Sequence, residues 1–477
     1  MIASSNHEAA HPTAVRLTRH SSLDRRLQGQ GLEERHQGPL TPVPITPDAS
    51  ILAAADNGPL WTVSGAGAGV RYEVAAGPDD IASGEALRDQ LKAGRFLGLL
   101  PIVHLLREIE HPVPWTPPPL RAAIVFDDPN LRAMSYGFLR FEELVRHAKA
   151  HRYHAVIASI PLDYGAVRTA PATLFREHVG QLSLALHGNN HEAFEFLRVD
   201  SDEEALRIVA QSLRRAADFE RRTGLTISRV VCAPHEVCAS TVLRALLRLD
   251  VDAVCLETPL QRRPGIPRLQ SLLNGWEPAQ FIENGIPLLP RYPLSYSFDD
   301  IVLRAFLDQP LIVFGHHTAV ADGFGRLEKI AARINGLGDV TWASLAAIAL
   351  ANFQWRRVGT EFIVRPYARR IQVAVPQGTE RLTVEIPPLD SGEGSWDVAA
   401  GHSRTSVTTP PDQITSVSFD GPFSSSELIE LHHPHEGSPQ DVPSPPQRAW
   451  PVVRRILTES RDRMMPLRRR QPRVALD

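Results

Sequence analysis

Between residues 121 and about 350 the chain alternates short apolar runs with longer amphipathic ones. RAAIVF (121–126), HAVIASIPL (154–162), LSLAL (182–186), SRVVCAP (228–234), DAVCLE (252–257), IPLLPRYP (286–293), PLIVFGHH (310–317) and DVTWAS (339–344) are near-continuous in apolar residues. That is the pattern of strands covered on both sides. Between them, GFLRFEELVRHAKAH (137–151) puts Leu139, Leu144, Val145 and Ala148 on one side of a helix. SDEEALRIVAQSLRRAADFERRTG (201–224) reads as a long helix, opened by Ser201 with Glu204 as a capping box and closed by Gly224. Strand, loop and helix in repetition predict an α/β fold, layered or closed into a barrel, over residues 119–350.

The flanks follow other rules. Residues 1–48 are polar with no clean period and read as a disordered arm. Residues 49–118 read as a small N-terminal α+β domain: LWTVSG and VRYEVAAG look like strands, and GEALRDQLKAGRFLGLLPIVHLLREI looks helical. Pro101 inside that last run predicts a kink or two shorter helices. HPVPWTPPPL (111–120) holds five prolines and marks a domain boundary. Residues 351–435 alternate with period two and predict a small antiparallel sandwich. Residues 436–477 are Pro- and Arg-rich; a flexible tail with one short helix near 447–460 is the expectation.

Composition narrows the function classes. A net charge of −3 gives no nucleic-acid footprint. The three cysteines, Cys232, Cys238 and Cys255, argue for reduced thiols and against a disulfide scaffold. The N-terminus lacks the apolar core of a signal peptide, and no run of eighteen apolar residues occurs, so a cytoplasmic protein without a transmembrane segment is expected.

The chemistry gathers at strand ends. Asp127-Asp128 follows one apolar run and His187-x3-His191 another. With 19 histidines, chance predicts roughly 0.8 pairs at this spacing. Three occur: His7/His11, His147/His151 and His187/His191. Spacing alone is therefore nearly worthless. His147/His151 lies on a helix and reads as a surface or packing pair. Only His187/His191 directly follows a strand, with Gly188 for a tight turn. Asp127-Asp128-Pro129-Asn130 could be a solvated turn. Its location at a strand end instead allows one carboxylate to bind a metal while its neighbour faces a water. CAPHEVC (232–238) puts His235 and Glu236 just past another strand, where they and Asn190 are candidates for substrate binding. LIVFGHH (311–317) does the same with His316 and His317, either of which could be a general acid. The bland reading of each is a histidine satisfied by backbone carbonyls. Four strand-terminal loops converge, and in parallel α/β folds such ends share one face.

In order, FDD (126–128), HGNNH (187–191), APHE (233–236) and FGHH (314–317) resemble the polysaccharide deacetylase superfamily, the NodB-homology group or carbohydrate esterase family 4. The likeness is to the divergent bacterial branch with DDPN and HGxxH motifs, and it covers about residues 120–350. It implies a distorted (β/α) barrel of about seven strands and a divalent metal, usually zinc. It implies Asp128, His187 and His191 as ligands and Asp127 as base. His316 aligns best with the family's acid, with His317 as neighbour and rival. The chain departs from the pattern at Pro129, where the family has glycine, at Gly188, where it has Ser or Thr, and at Ala233, where it has the arginine that steers the base. The implied activity is removal of an N- or O-linked acetyl group from a carbohydrate or glycan precursor. The alternatives are a related hydrolase of a non-sugar C–N or ester bond, and an inactive glycan-binding or scaffold protein of the same fold.

Overall fold

The protein's structure is a computed structural model that describes residues 11–36, 39–65, 69–81, 87–109, 113–257, 275–283, 285–389, 394–410 and 413–469. Its first sheet is antiparallel, in the order β2-β1-β3-β4-β5. The strands are β1 (His11–Leu17), β2 (Gly31–His36), β3 (Ser50–Ala55), β4 (Gly58–Ser64) and β5 (Arg71–Val74). Val15 sits opposite Leu32, and both are buried with Leu17, Leu52 and Trp61 on the covered face. Part of the expected disordered arm is therefore ordered, since residues 11–36 pair into the sheet; residues 1–10, with His7, lie outside the described residues. The short strands hide in the sequence because each buries only two side chains through alternation. The long run expected to be helical splits, as Pro101 predicts. Leu87–Gln90 is a 3-10 turn, and α1 spans Leu100–Ile109 with Pro101 in its first turn, where no backbone N–H is needed.

Seven parallel strands then close a barrel. In chain order they are β6 (Leu120–Asp127), β9 (Ala155–Ser159), β10 (Leu182–His187), β11 (Ile227–Cys232), β12 (Ala253–Glu257), β14 (Ile286–Pro293) and β15 (Leu311–Gly315). Each pairs with its neighbours in the order β12-β11-β10-β9-β6-β15-β14, and β12 pairs with β14 to close the ring. A two-residue ladder joins β7 (Ser135–Tyr136) and β8 (Leu139–Arg140). Leu139 thus belongs to this ladder, and the following helix α2 is Phe141–His151. The remaining covering helices are α3 (Thr169–Glu177), α4 (Asp202–Thr223), α5 (Ser240–Arg248), α6 (Phe298–Phe306), α7 (Gly325–Asn335) and α8 (Leu345–Leu350). Helix α4 has the expected ends: the Ser201 side chain accepts from the Glu204 N–H, and Gly224 takes the left-handed conformation. β13 (Gln280–Ile282) runs antiparallel to β14, and β16 (Val340–Trp342) pairs with the start of β6.

The following region forms two four-stranded sheets. One has the order β17-β18-β20-β23, from β17 (Phe353–Val358), β18 (Glu361–Pro366), β20 (Arg381–Ile386) and β23 (Thr415–Asp420). The other has the order β19-β24-β21-β22, from β19 (Arg370–Ala374), β21 (Gly394–Ala400), β22 (Ser403–Thr409) and β24 (Ser426–His432). The expectation of purely antiparallel pairing is corrected: β18 and β20 run parallel, because the chain leaves for β19 in the other sheet before returning. The tail is also more regular than expected. Helix α9 spans Trp450–Arg469. Among the described residues, no helix is long and apolar enough to cross a membrane.

The first sheet and the barrel are tied at Asp308. Arg26 and Arg107 both donate to its carboxylate, and Arg121 donates to its backbone carbonyl at 3.1 Å. The Asp308 side chain is 3% exposed, so removing it leaves the partly buried Arg26 and Arg107 without their counter-charge. Asp308→Ala is expected to lower stability by about 3–5 kcal/mol, read from the denaturation midpoint of the purified protein.

Candidate metal centre

Parallel strands that close into a barrel bring all their C-terminal ends to one mouth. Asp127 ends β6, His187 ends β10, and Cys232 ends β11. Past its strand end, Asp128 turns into the left-handed region at φ 82°, its N–H donating to the Ala158 carbonyl at 3.1 Å. This turn swings its carboxylate across the mouth. Asp128 Oδ1 lies 3.6 Å from His187 Nε2 and 3.3 Å from His191 Nε2. For bonds of about 2.1 Å in a tetrahedron, neighbouring ligand atoms sit about 3.4 Å apart. The spacing is therefore that of a set of metal donors.

The donor chemistry agrees. His187 Nδ1 is 3.0 Å from the Cys232 carbonyl, which can only accept, so Nδ1 carries the proton and Nε2 keeps its lone pair. Burial pulls the His187 pKa down to about 4, which keeps the ring neutral. Burial pushes the Asp128 carboxyl up, but His191, His187, His316 and Arg455 outweigh it and hold the group ionised well below its usual range. Asp128 Oδ1 and His187 Nε2 are both buried without a hydrogen-bond partner among the described residues. Two orphaned buried acceptors aimed at one point fit a cation.

The loop carrying His191 is held from beneath. Glu195 accepts the backbone N–H groups of Asn189, Asn190 and His191 at 3.0, 2.7 and 2.9 Å. Gly188 has φ 66°, and a Cβ there would meet Pro234 at 2.5 Å and the Glu195 carboxylate at 2.8 Å. A Ser or Thr would not fit there without moving Pro234. Helix α9 holds the loops from outside. Arg455 donates to the Asp128 carbonyl at 2.9 Å, and Arg454 donates to the His191 carbonyl.

Asp127 is 2% exposed and takes both Arg291 Nη1 and Nη2 at 3.0 Å. Burial raises its pKa, but Arg291, His187 and His316 more than offset this and keep the carboxyl below its usual range. Arg291 comes from β14, has no exposed surface, and also donates through Nε to Glu236 at 3.0 Å. It supplies in space the charge that Ala233 fails to supply in sequence. The one signal for it was a lone arginine inside the apolar run IPLLPRYP. No sequence signal marked Glu195.

The other candidates separate. His316 Nε2 lies 3.8 Å from Asp128 Oδ2, and the side chain is 52% exposed. His317 is buried, its Nε2 3.7 Å from Asp462 in α9 and its ring against Tyr136 and Phe138. Of the two, only His316 comes within ion-pair distance of Asp128. His235 packs its ring 4.9 Å from that of His191 and 5.0 Å from Phe194, beside the Asp128-His187-His191 cluster. Glu236 is a correction: it is buried and accepts from Arg291 and from the Glu257 N–H at 2.6 Å, so it faces inward and not towards a substrate. Asn190 stays half-buried at the rim with its side-chain oxygen accepting from Arg215 at 2.8 Å. Among the described residues, two other groups have metal-like spacing, His147-His151-Glu328 and Asp250-His432-Glu436. In the first, His147 already bonds the Tyr153 hydroxyl at 3.0 Å; in the second, Arg370 and Arg369 take the carboxylates. The cysteines are free, as expected.

No protein-family model and no curated protein matches the sequence. Among solved structures, the chain is similar to the family 4 carbohydrate esterase from Streptomyces lividans at 11% identity, over 51% of this chain and 98% of that one, with a TM-score of 0.31. It is similar to a Streptococcus mutans CE4 esterase at 14% identity, over 47% and 85%, with a TM-score of 0.27. A family 4 acetyl xylan esterase from Clostridium thermocellum shares 12% identity over 48% and 89%, with a TM-score of 0.28. At such identity and superposition the likeness decides nothing about chemistry, which rests on the side chains.

Asp128→Ala and His187→Ala are each expected to abolish stoichiometric divalent metal in the purified protein, read by mass spectrometry, while the fold persists by circular dichroism. Full metal retention in both variants would remove the assignment.

Proposed function

We propose that the chain is a metal-dependent hydrolase that removes an N- or O-linked acetyl group from a carbohydrate or glycan precursor. The observation that carries this reading is the meeting of Asp128, His187 and His191 around one point, with two buried lone-pair atoms that have no hydrogen-bond partner among the described residues. A divalent metal there, zinc by the donor set of one carboxylate and two imidazoles, would supply Lewis acidity to an acetyl carbonyl and lower the pKa of a water towards ~7.

The chain's own groups divide the proton work. Asp127 would take the water's proton. It is a weak base because Arg291 holds its pKa down, so it suits a water that is itself made acidic. Each Asp127 oxygen keeps a second lone pair beside the one given to Arg291. His316, at the open side of Asp128, would donate to the leaving nitrogen or oxygen. His235 and Asn190, at the rim, would contact the sugar. The reading of an inactive glycan-binding scaffold rests on Ala233 and on the N-terminal and β-rich flanking regions, which resemble binding or docking modules; only the first of these is touched by Arg291. Arg291 weakens it, since the buried cation reaches Asp127 from another strand.

Hydrolysis of acetylated chromogenic sugars by the metal-loaded protein tests the proposal. Asp127→Asn and His316→Gln are each expected to lower kcat by about 10²–10⁴-fold, with metal content unchanged. His317→Gln is expected to keep most of the activity, because that ring faces α9. A metal-loaded protein inert on all acetylated sugars would overturn the reading.

A further inference from the structure

Away from the mouth, one polar cluster on the outside of the barrel has no role in the site. His147 and His151 stand one turn apart on α2, and Glu328 meets them from α7. One donor atom of each lies within 4.8 Å of the others. The two imidazole rings are 4.2 Å apart, centroid to centroid. Like charges that close oppose one another, so both rings stay largely neutral at pH 7 and keep a lone pair each. The Tyr153 hydroxyl bonds Nδ1 of His147 at 3.0 Å, which leaves Nε2 for another partner. The Phe324 ring packs 5.1 Å from the same imidazole and limits its rotation.

We propose that His147, His151 and Glu328 form a second divalent-cation site, of the zinc class, that links α2 to α7. Helical spacing supplies two of the ligands. Side chains four residues apart project side by side from one face, the arrangement by which two histidines on a helix chelate zinc. The helix end supplies the field. His151 is the last residue of α2 and His147 lies one turn before it, where the unpaired carbonyls of the helix favour a cation. Tyr153 supplies the outer support. A ligating imidazole commonly bonds an oxygen through its other nitrogen, which fixes the ring and its tautomer. The bond at Nδ1 of His147 therefore supports ligation through Nε2. Glu328 is the adjustable member. Donors bonded to one zinc ion sit about 3.4 Å apart, and this exposed side chain can close the remaining gap of about an ångström by rotation. Two imidazoles beside one carboxylate select zinc, nickel or copper over magnesium and calcium, which take oxygen ligands.

This cluster is separate from the mouth. A barrel helix runs back against its strands, so the C-terminal end of α2 lies near the start of β9 and away from Asp128. There α2 and α7 already meet: Asn335 donates to the His151 and Arg152 carbonyls at 3.1 and 3.4 Å. A cation held by both helices adds a second tie and stabilises the folded chain as it fills. Both imidazoles are half-buried and the carboxylate is exposed, so the ion exchanges with solvent and the site fills only when the cation is supplied. The inference is independent of the reaction proposed above.

Calorimetric titration of zinc into the full-length Asp128→Ala/His187→Ala variant, whose mouth lacks two ligands, tests it. One equivalent of zinc is expected to bind, and magnesium is expected not to compete. Adding His151→Gln or Glu328→Gln to that background is expected to weaken zinc at least about tenfold, and adding Tyr153→Phe about 10–100-fold. The melting temperature of the background variant is expected to rise with zinc, and to stop rising once His151→Gln is added. Glu328 is exposed, so its substitution keeps the fold and the readout even where His151→Gln lowers stability. A background variant that takes up no zinc would overturn the proposal. So would zinc binding that survives both His151→Gln and Glu328→Gln at full strength, which would leave the pair a packing contact. None of these readouts uses catalysis, so loss of the deacetylase reading would leave this test intact.

Discussion

A guanidinium with no exposed surface sits between two buried carboxylates at the mouth of the barrel, and the site depends on it. Arg291 gives Nη1 and Nη2 to Asp127 and bonds Glu236 through Nε and again through Nη2. Burial alone raises the pKa of both acids; the shared cation holds Asp127 ionised, while the direction for Glu236 remains upward. The Phe314 ring lies 4.1 Å from the guanidinium carbon and closes the remaining side. Strands β6, β11, β14 and β15 are thus joined by one charge balance. Asp127 is fixed in orientation, and next to it Asp128 is free to face the histidines.

How much of this was legible in the sequence follows from the range of each interaction. The barrel was legible because parallel strands covered on both sides write near-continuous apolar runs, and each of the seven does so. The candidate cluster of Asp128, His187 and His191 was legible because a barrel delivers strand ends to one mouth, so these residues could be located by what precedes them. Arg291 was not, since only three dimensions bring it 3.0 Å from a residue 164 positions earlier. Glu236 was misread for the same reason. Lying past a strand end, it had the right address, yet its partner Arg291 lay in a strand not considered for chemistry. The first strands were missed because β1 and β2 bury two side chains each, too few to rise above a polar background.

The tail was misjudged for a different reason. A Pro- and Arg-rich composition is usually read as solvated and flexible. In α9 the charged groups are instead the ones that find partners in the protein, because the barrel mouth is itself lined with Asp163, Tyr136, Arg132 and backbone carbonyls. A polar mouth selects a polar face, and the apolar face is left outside. Hydrophobic pattern predicts which side of a helix is buried only where the surface beneath is apolar; here that condition fails.

Backbone strain ties these features together. Asp128, His191, Phe194, His235 and Glu236 all have positive φ, and all lie in the loops around the candidate metal centre. Such conformations cost on the order of 1 kcal/mol or more each for residues with a Cβ. They persist only where neighbours over-determine them. Glu195 gathers three successive N–H groups beneath His191, and Arg454 and Arg455 fix the two ligand carbonyls from above. The ligand geometry is therefore set before any ion arrives, and it is set by groups that do not touch the ion. A donor set held apart at 3.3 and 3.6 Å by such supports cannot collapse onto itself to satisfy its buried lone pairs. That unmet demand is the physical basis for reading the mouth of this barrel as a metal centre.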